Sequence, residues 1–550
     1  MASGIFEEHA LLPIAILAGA ATCLASKGHD IRGDYAALAF ILTSFSMHIA
    51  FRIILESPLL VTLAVCAAYG VTVLSITVAY RLSPWHPLAA YPGPLVAKVT
   101  GLWLSYISFS GKRYQILDDL HARYGPFLRV GPGCLSINSP SATSLYLHTE
   151  KSEAYRLPKH NGAVALFFKQ DTSSLHRERR RVWSEFFTRS SIAGLIPQLE
   201  RRTWELVQCL ERRQGASQNK TINLPQAMYH WSHDFMGDMV FGGCSTFELM
   251  RDGDPQGIIH TGKMATAMMD SLGQTPWLLD ILWHMPFTKK MHLMDDLATH
   301  MMTNRVKSKD LPEYRDLSSY LIAAGIPQHE LETDAVVAII GGSDNTSITV
   351  SIAIYFLLAH REYYNRLYAE LVQTFPDPMA SVHLDELTTL PFLNGVINET
   401  LRLASPYFNP RVVPAGGTLV DGQFIPEKTV VALAAHSQQL SEENFYPAPK
   451  NFHPERWLPD GLGPETVTNK AILASFSYGP HHCIGKVLAY HQMRFALARI
   501  LLAFDIEFAP DFDIPGFYDG ILNMRTMFLE KELRVQVRRR PGVDLAKVPV

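Results

Sequence analysis

The run Pro58–Tyr80 carries no charged residue over 23 positions. A stretch of that length and composition can cross the hydrocarbon core of a bilayer as a helix. In water it would have to be covered on every side. Two shorter apolar runs precede it. Ala10–Ser26 is uncharged, and in Tyr35–Phe51 only His48 can take up a positive charge. Both are at the short limit for a span and are also open to reading as interfacial or buried core helices. Glu7 and Glu8 stand where a cleaved signal peptide has its basic segment, so that reading fits poorly. If all three runs cross, Lys27 and Arg32 follow the first, Arg52 the second, and Arg81 with the remaining chain the third. Basic loops stay on the cytosolic side. The expectation is a membrane region of one to three helices in residues 1–80, with a large cytosolic domain after it.

Pro84, Pro87, Pro92 and Pro94 crowd the segment 81–100. That density predicts a stiff, extended connector, with an ordinary loop as the alternative. From residue 101 long helical patterns dominate, interrupted by short strand-like pieces. Tyr114–Tyr124 reads as a helix, and Pro126–Pro132 and Cys134–Asn138 as two short strands around a Gly-Pro-Gly turn. The fold class is mainly α with small β-sheets. A net charge of −3 argues against nucleic acid as a partner. The six cysteines are scattered and form no CxxC pair, which disfavours a zinc site or a disulfide framework and suits a reducing compartment.

One cysteine stands apart. Cys483 lies in the turn Phe476-Ser-Tyr-Gly-Pro-His-His-Cys-Ile-Gly485, directly ahead of the apolar helical run Val487–Phe504. A thiolate there would face the unpaired N–H groups and positive end of a helix, which lower its pKa. Gly479 and Gly485 permit close approach of the backbone to a flat ligand, and Phe476 is placed to shield the sulfur. These are the needs of a thiolate ligand to haem iron. Two other readings stay open for the residue alone: a small buried hydrophobe, and a nucleophile paired with His481 or His482.

Four further stretches carry polar residues in apolar or helical settings. In Leu175–Trp183, His176 and Arg180 share a helix face suited to two carboxylates, while the other arginines point outward as a positive patch or as a merely solvated face. Gly341-Gly342-Ser343-Asp344-Asn345-Thr346 interrupts a long apolar helix. Each mid-helix glycine costs about 1 kcal/mol relative to alanine. Either a groove that admits a ligand or close helix packing would offset that. Glu399 and Arg402 sit at i, i+3 among apolar neighbours, and Arg456 of Pro454–Trp457 is a candidate second cation for the same carboxylate.

From Pro84 to about Arg538 these segments, in this order, resemble the cytochrome P450 family. The turn Phe476-x-x-Gly479-x-His481-x-Cys483-x-Gly485 matches its haem-binding segment. Glu399, Arg402 and Arg456 match its structural triad, and Gly341–Asp344 matches its oxygen-binding groove. The N-terminal region and proline hinge are similar to the microsomal class, above all to fungal enzymes of secondary metabolism. Three positions depart from the usual pattern: His481 stands for an arginine, His176 for a tryptophan, and Asn345 for a threonine, with Thr346 next to it.

The resemblance implies a cytochrome P450 fold with a haem-thiolate catalytic domain over residues 101–550. Cys483 would bind the iron of haem b, and His176, Arg180, Arg411 and His481 would hold the propionates, beside Phe476 and Gly485. Asp344 with Asn345 or Thr346 would order water near bound O2. The implied activity is monooxygenation of a lipophilic small molecule such as a terpenoid, polyketide or indole. Electrons would come from NADPH through a membrane-bound cytochrome P450 reductase docking near Arg177–Arg181, at the endoplasmic reticulum membrane with the domain facing the cytosol. The substrate pocket is expected from Ala163–Phe168, Met264–Met269, Ile339–Ile340, Phe408 and Asn523–Met524. A reductase-independent isomerase or dehydratase, and a non-catalytic membrane haem protein, are the alternatives.

Overall fold

The computed structural model describes residues 2–548 apart from 27–30, 55–57, 157–163, 171, 287, 289–291, 309–313 and 405–406. The apolar N-terminal runs form helices Ala2–Ala25, Gly33–Ile54 and Pro58–Leu82. Gly33–Ile53 and Pro58–Leu82 are long and apolar enough to cross a membrane, and Leu11–Ala25 is a shorter apolar helix. The Arg32 end of the second helix meets the rest of the chain. The Gly33 N–H donates to Asp280 at 3.0 Å, and Arg156 pairs with the same carboxylate at 2.6 Å. Lys27 lies outside the described residues.

The proline-rich connector is docked rather than free. Arg129 is buried and donates to the carbonyls of Arg81 (3.2 Å) and Pro132 (2.8 Å), while its own N–H donates to Pro92 at 2.7 Å. Tyr91 donates to the Phe424 carbonyl at 2.8 Å, and Leu88 is buried.

The helix Gln328–Ala359 runs through the middle of the molecule. By length and composition it too could span a bilayer, but 72% of its apolar window is covered by protein. It is apolar on every side because every side is packed. Around it lie Leu224–Phe241, Pro391–Ala404 and Lys486–Ala503, each mostly buried. The two mid-helix glycines serve different ends. A Cβ on Gly341 would meet nothing within 4 Å, because it faces an open cavity, whereas one on Gly342 would overlap the Met236 thioether.

The expected helix and two strands appear as Arg113–Tyr124, Phe127–Gly131 and Cys134–Ile137. The two strands pair antiparallel and open a five-stranded sheet, continued by Val430–Leu433, Arg411–Val412 and Glu150–Lys151. Cys134 pairs with Val430 in parallel register, and Lys151 pairs with Arg411. That last pairing carries two basic side chains to the wall of the cavity.

Candidate functional site

The cysteine turn is fixed by its backbone. Gly479 has φ +65°, and a Cβ there would collide with the Tyr146 carbonyl. The Cys483 N–H donates to the Phe476 carbonyl at 2.8 Å. Lys486–Ala503 starts three residues later, with Gly485 at its N-cap. The sulfur opens into a cavity of about 300 Å³, also lined by Gly341, Gly342, Asn345 and Thr346 of the central helix. Its surface is accessible from that cavity while protein encloses it from bulk water. The expected lowering of the thiol pKa is reversed. Burial pushes Cys483 up, and the Gly485 N–H, Arg180 and Lys486 only partly offset it. Desolvation of a sulfur anion outweighs a helix terminus when no cation touches the sulfur. A bound metal cation would supply that charge.

Basic side chains cluster in the cavity lining. Arg411 is buried, yet its Nε and Nη1 have no hydrogen-bond partner among the described residues, and Nη2 reaches only Ser477 Oγ at 3.5 Å. His176 Nε2 lies 3.2 Å from His481 Nδ1. Arg180 donates to the His482 carbonyl at 2.9 Å. Lys151 donates to the carbonyls of Leu166 (2.8 Å) and Phe167 (2.7 Å). Burial, with Lys151 and Arg180 close by, holds His176 down at about 4, so the ring is a neutral donor. Unpaired buried guanidinium N–H groups are costly and ask for acceptors. A flat ligand with two carboxylates at one edge, and a metal facing Cys483, meets these needs, so the residues fit a haem. Phe476 lines the same cavity beside Gly485 and packs against Tyr490 at 5.5 Å.

The polar cluster of the central helix divides. Asn345 and Thr346 line the cavity; Asp344 does not. Asp344 is buried on another face, its Oδ1 3.8 Å from His233 Nε2. His233 Nδ1 donates to the Tyr229 carbonyl at 2.9 Å. Burial raises the Asp344 carboxyl, and the Lys263 ammonium pulls it back. The ammonium itself sits 3.3 Å from the Tyr229 ring centroid. Nothing in the one-dimensional pattern singled out His233 or Lys263, since neither lies in a motif.

Glu399 and Arg402 are fully buried and joined by two bonds of 2.8 and 2.7 Å. Arg456 is the expected second cation of the same carboxylate, but it pairs through Nε alone. Arg456 stays at 3.5 Å and turns Nη2 to the carbonyls of Pro447 (2.7 Å) and Ala448 (3.2 Å). Trp457 Nε1 (2.9 Å) and the His453 N–H (3.1 Å) occupy the remaining carboxylate lone pairs. The basic helix Ser173–Phe186 also differs from expectation at one residue. Arg177 and Arg181 are exposed, but Arg179 is buried against Asp334 (2.9 Å) and Glu330. A helical turn of 3.6 residues puts it on the inner face.

The expected pocket is partly relocated. Leu166, Phe167, Phe408 and Met524 line the cavity, whereas Phe168 and Asn523 do not; Ala163 lies outside the described residues. Met264 is half exposed, and the thioethers at the cavity are Met236, Met239, Met493 and Met524. Ile339 is in the core, because the lining positions of the central helix recur as Val337, Ala338, Gly341, Gly342, Asn345, Thr346 and Thr349.

Residues 91–537 match the family model described as "Cytochrome P450". The chain is 32% identical to Tryprostatin B 6-hydroxylase of Aspergillus fumigatus over 466 residues, 83% of this chain and 80% of that protein. It is 30% identical to "Cytochrome P450 monooxygenase notG'" of Aspergillus versicolor over 473 residues, 84% of each. It is 31% identical to "Cytochrome P450 monooxygenase cpaH" of Aspergillus oryzae over 455 residues, 80% of this chain and 87% of that one. With one cysteine opening on a cavity that also holds the unpaired guanidinium N–H groups of buried Arg411, and with a family match over most of its length, the chain belongs to the cytochrome P450 monooxygenases.

Proposed function

We propose that this cytochrome P450 monooxygenase oxidises a lipophilic small molecule of fungal secondary metabolism, a terpenoid, polyketide or indole. Electrons would reach it from NADPH through a membrane-bound reductase. One observation carries the reading: the Cys483 sulfur and the unpaired Arg411 N–H groups open on one cavity whose remaining wall is mostly apolar. Apolar walls with a few fixed polar groups are what small-molecule sites present. The match to a relative named Tryprostatin B 6-hydroxylase favours hydroxylation as the reaction.

When bound, the haem supplies the transfer of one oxygen atom from O2 to the substrate. The chain's own residues do the rest. Cys483 would ligate the iron; Arg411 and Arg180 would neutralise the carboxylates, and the uncharged rings of His176 and His481 would donate hydrogen bonds to them. Methionine and phenylalanine side chains hold the substrate and exclude water. Thr346 lines the cavity next to Asn345, and its hydroxyl, with no hydrogen-bond partner among the described residues, is free to pass a proton. Thr349 is tied to the Asn345 carbonyl at 2.7 Å. Arg177 and Arg181 offer exposed positive charge to a reductase.

The membrane arrangement we infer is three N-terminal helices, with residues 81–100 as a docked connector and the catalytic domain at the cytosolic face of the endoplasmic reticulum. The bond from Gly33 to Asp280 supports it by keeping the Arg32 loop on the domain's side.

The test is a reduced, CO-bound absorption spectrum of wild type beside Cys483→Ser, followed by NADPH-dependent turnover with reductase. The thiolate-type band should appear in the wild type and vanish in the variant. A band that survives the substitution, or product formed without NADPH, would overturn the reading.

A further inference from the structure

Asn345 stands where the family usually has a hydroxyl, and its amide is held from behind. The Tyr407 hydroxyl lies 2.8 Å from Asn345 Oδ1, and the Met527 backbone N–H approaches the same oxygen at 3.4 Å. A backbone N–H can only donate, so the atom it faces must be the carbonyl oxygen and not the NH2 group. Tyr407 is half-buried in the cavity wall, and desolvation there raises its phenol well above the ordinary value, so the hydroxyl keeps a proton to donate. With the oxygen engaged by two donors, the Nδ2 hydrogens are what Asn345 has left to offer. Asn345 lines the cavity, together with Gly341 and Cys483.

We propose that Tyr407 is a positioning residue: it fixes the Asn345 carboxamide with the oxygen turned toward Tyr407 and Met527, so that the NH2 group becomes a set hydrogen-bond donor to a diatomic ligand of the cofactor. The inference rests on the haem reading above and extends it to residues that reading does not use. An amide fixed this way stabilises negative charge on a ligand but has no hydroxyl with which to relay a proton. Orientation matters because a carboxamide free to flip would present donor and acceptor in turn, and an acceptor would repel the same charge.

The test reads the infrared C–O stretch of the ferrous CO complex in the full-length holoenzyme. A donor near the CO oxygen polarises the bond and lowers its frequency. The variants are Tyr407→Phe, Asn345→Leu, the double substitution, and Asn345→Asp. Asn345→Leu removes the donor and should move the band to higher wavenumber. Tyr407→Phe should broaden the wild-type band or shift it part of the way toward that position. The double variant should match Asn345→Leu alone, because Tyr407 acts only through the amide. Asn345→Asp keeps an acceptor for Tyr407 and Met527 but has no N–H, so it should also lose the low-frequency band; it decides the matter if Tyr407→Phe fails to fold. The proposal is overturned if Tyr407→Phe leaves the band unmoved, if it shifts the band equally when residue 345 is leucine, or if Asn345→Asp behaves as wild type. Failure of the haem reading would look different: the wild type itself would lack the thiolate-type CO absorption band.

Discussion

The Arg402 guanidinium meets the Glu399 carboxylate at 2.8 and 2.7 Å with neither side chain exposed. Arg402 also donates to the Gln439 carbonyl at 2.7 Å and to the Asn451 carbonyl at 3.1 Å. The pair therefore ties the helix Pro391–Ala404 to two distant segments, one of which leads into the cysteine turn. Removing one partner leaves a buried charge uncompensated, at a cost of about 3–5 kcal/mol. Glu399→Ala should lower stability by that order and reduce haem content, measured by denaturant unfolding and by the Soret-to-protein ratio. Trp457→Phe removes one bond to the same carboxylate and should cost less, about 1–3 kcal/mol.

Gly341 and Gly342 should respond oppositely to alanine. Gly341→Ala meets open space, so the helix gains up to about 1 kcal/mol from propensity. Its methyl enters the cavity, so affinity for a bulky ligand should fall in spin-shift titrations. Gly342→Ala must displace Met236, and its melting temperature should fall.

Burial holds His230 and His233 down from about 6.5 to about 4. Both are neutral in the folded protein at neutral pH, while an unfolded chain takes up their protons near 6.5. Their effect on stability is therefore nil above that value; stability is lost as pH falls toward about 4 and levels off below. In thermal unfolding across this window, the stability of wild type relative to His233→Gln should decline as pH is lowered. A constant difference would show that His233 does not titrate there.

Arg177 and Arg181 project from the same helix that carries His176 toward the cavity. Reversing both to glutamate should slow reduction by the reductase at low ionic strength and matter less at high salt, because exposed charges are screened. Stopped-flow reduction at two salt concentrations measures it. Equal slowing at both would remove this face as the docking surface.

The cysteine turn, the Glu399–Arg402 pair and the three apolar helices were legible in the chain because each is a local pattern: a motif, an i, i+3 spacing, an uncharged run. The same local reading left the two roles offered for Gly341 and Gly342 undivided. Only packing showed that one faces a cavity and the other a methionine.

What the sequence determined by itself was the family, the cysteine turn and the helical class, since these depend on residue type and order along the chain. The tertiary structure decided which groups meet. It took Asp344 away from the cavity and set it against His233, gave Glu399 a tryptophan N–H in addition to its two arginines, and turned Arg179 inward. It also brought Tyr407 to Asn345 across 62 positions. Contacts between residues so far apart follow from how helices pack, and the pattern along one strand of chain carries no record of the partner.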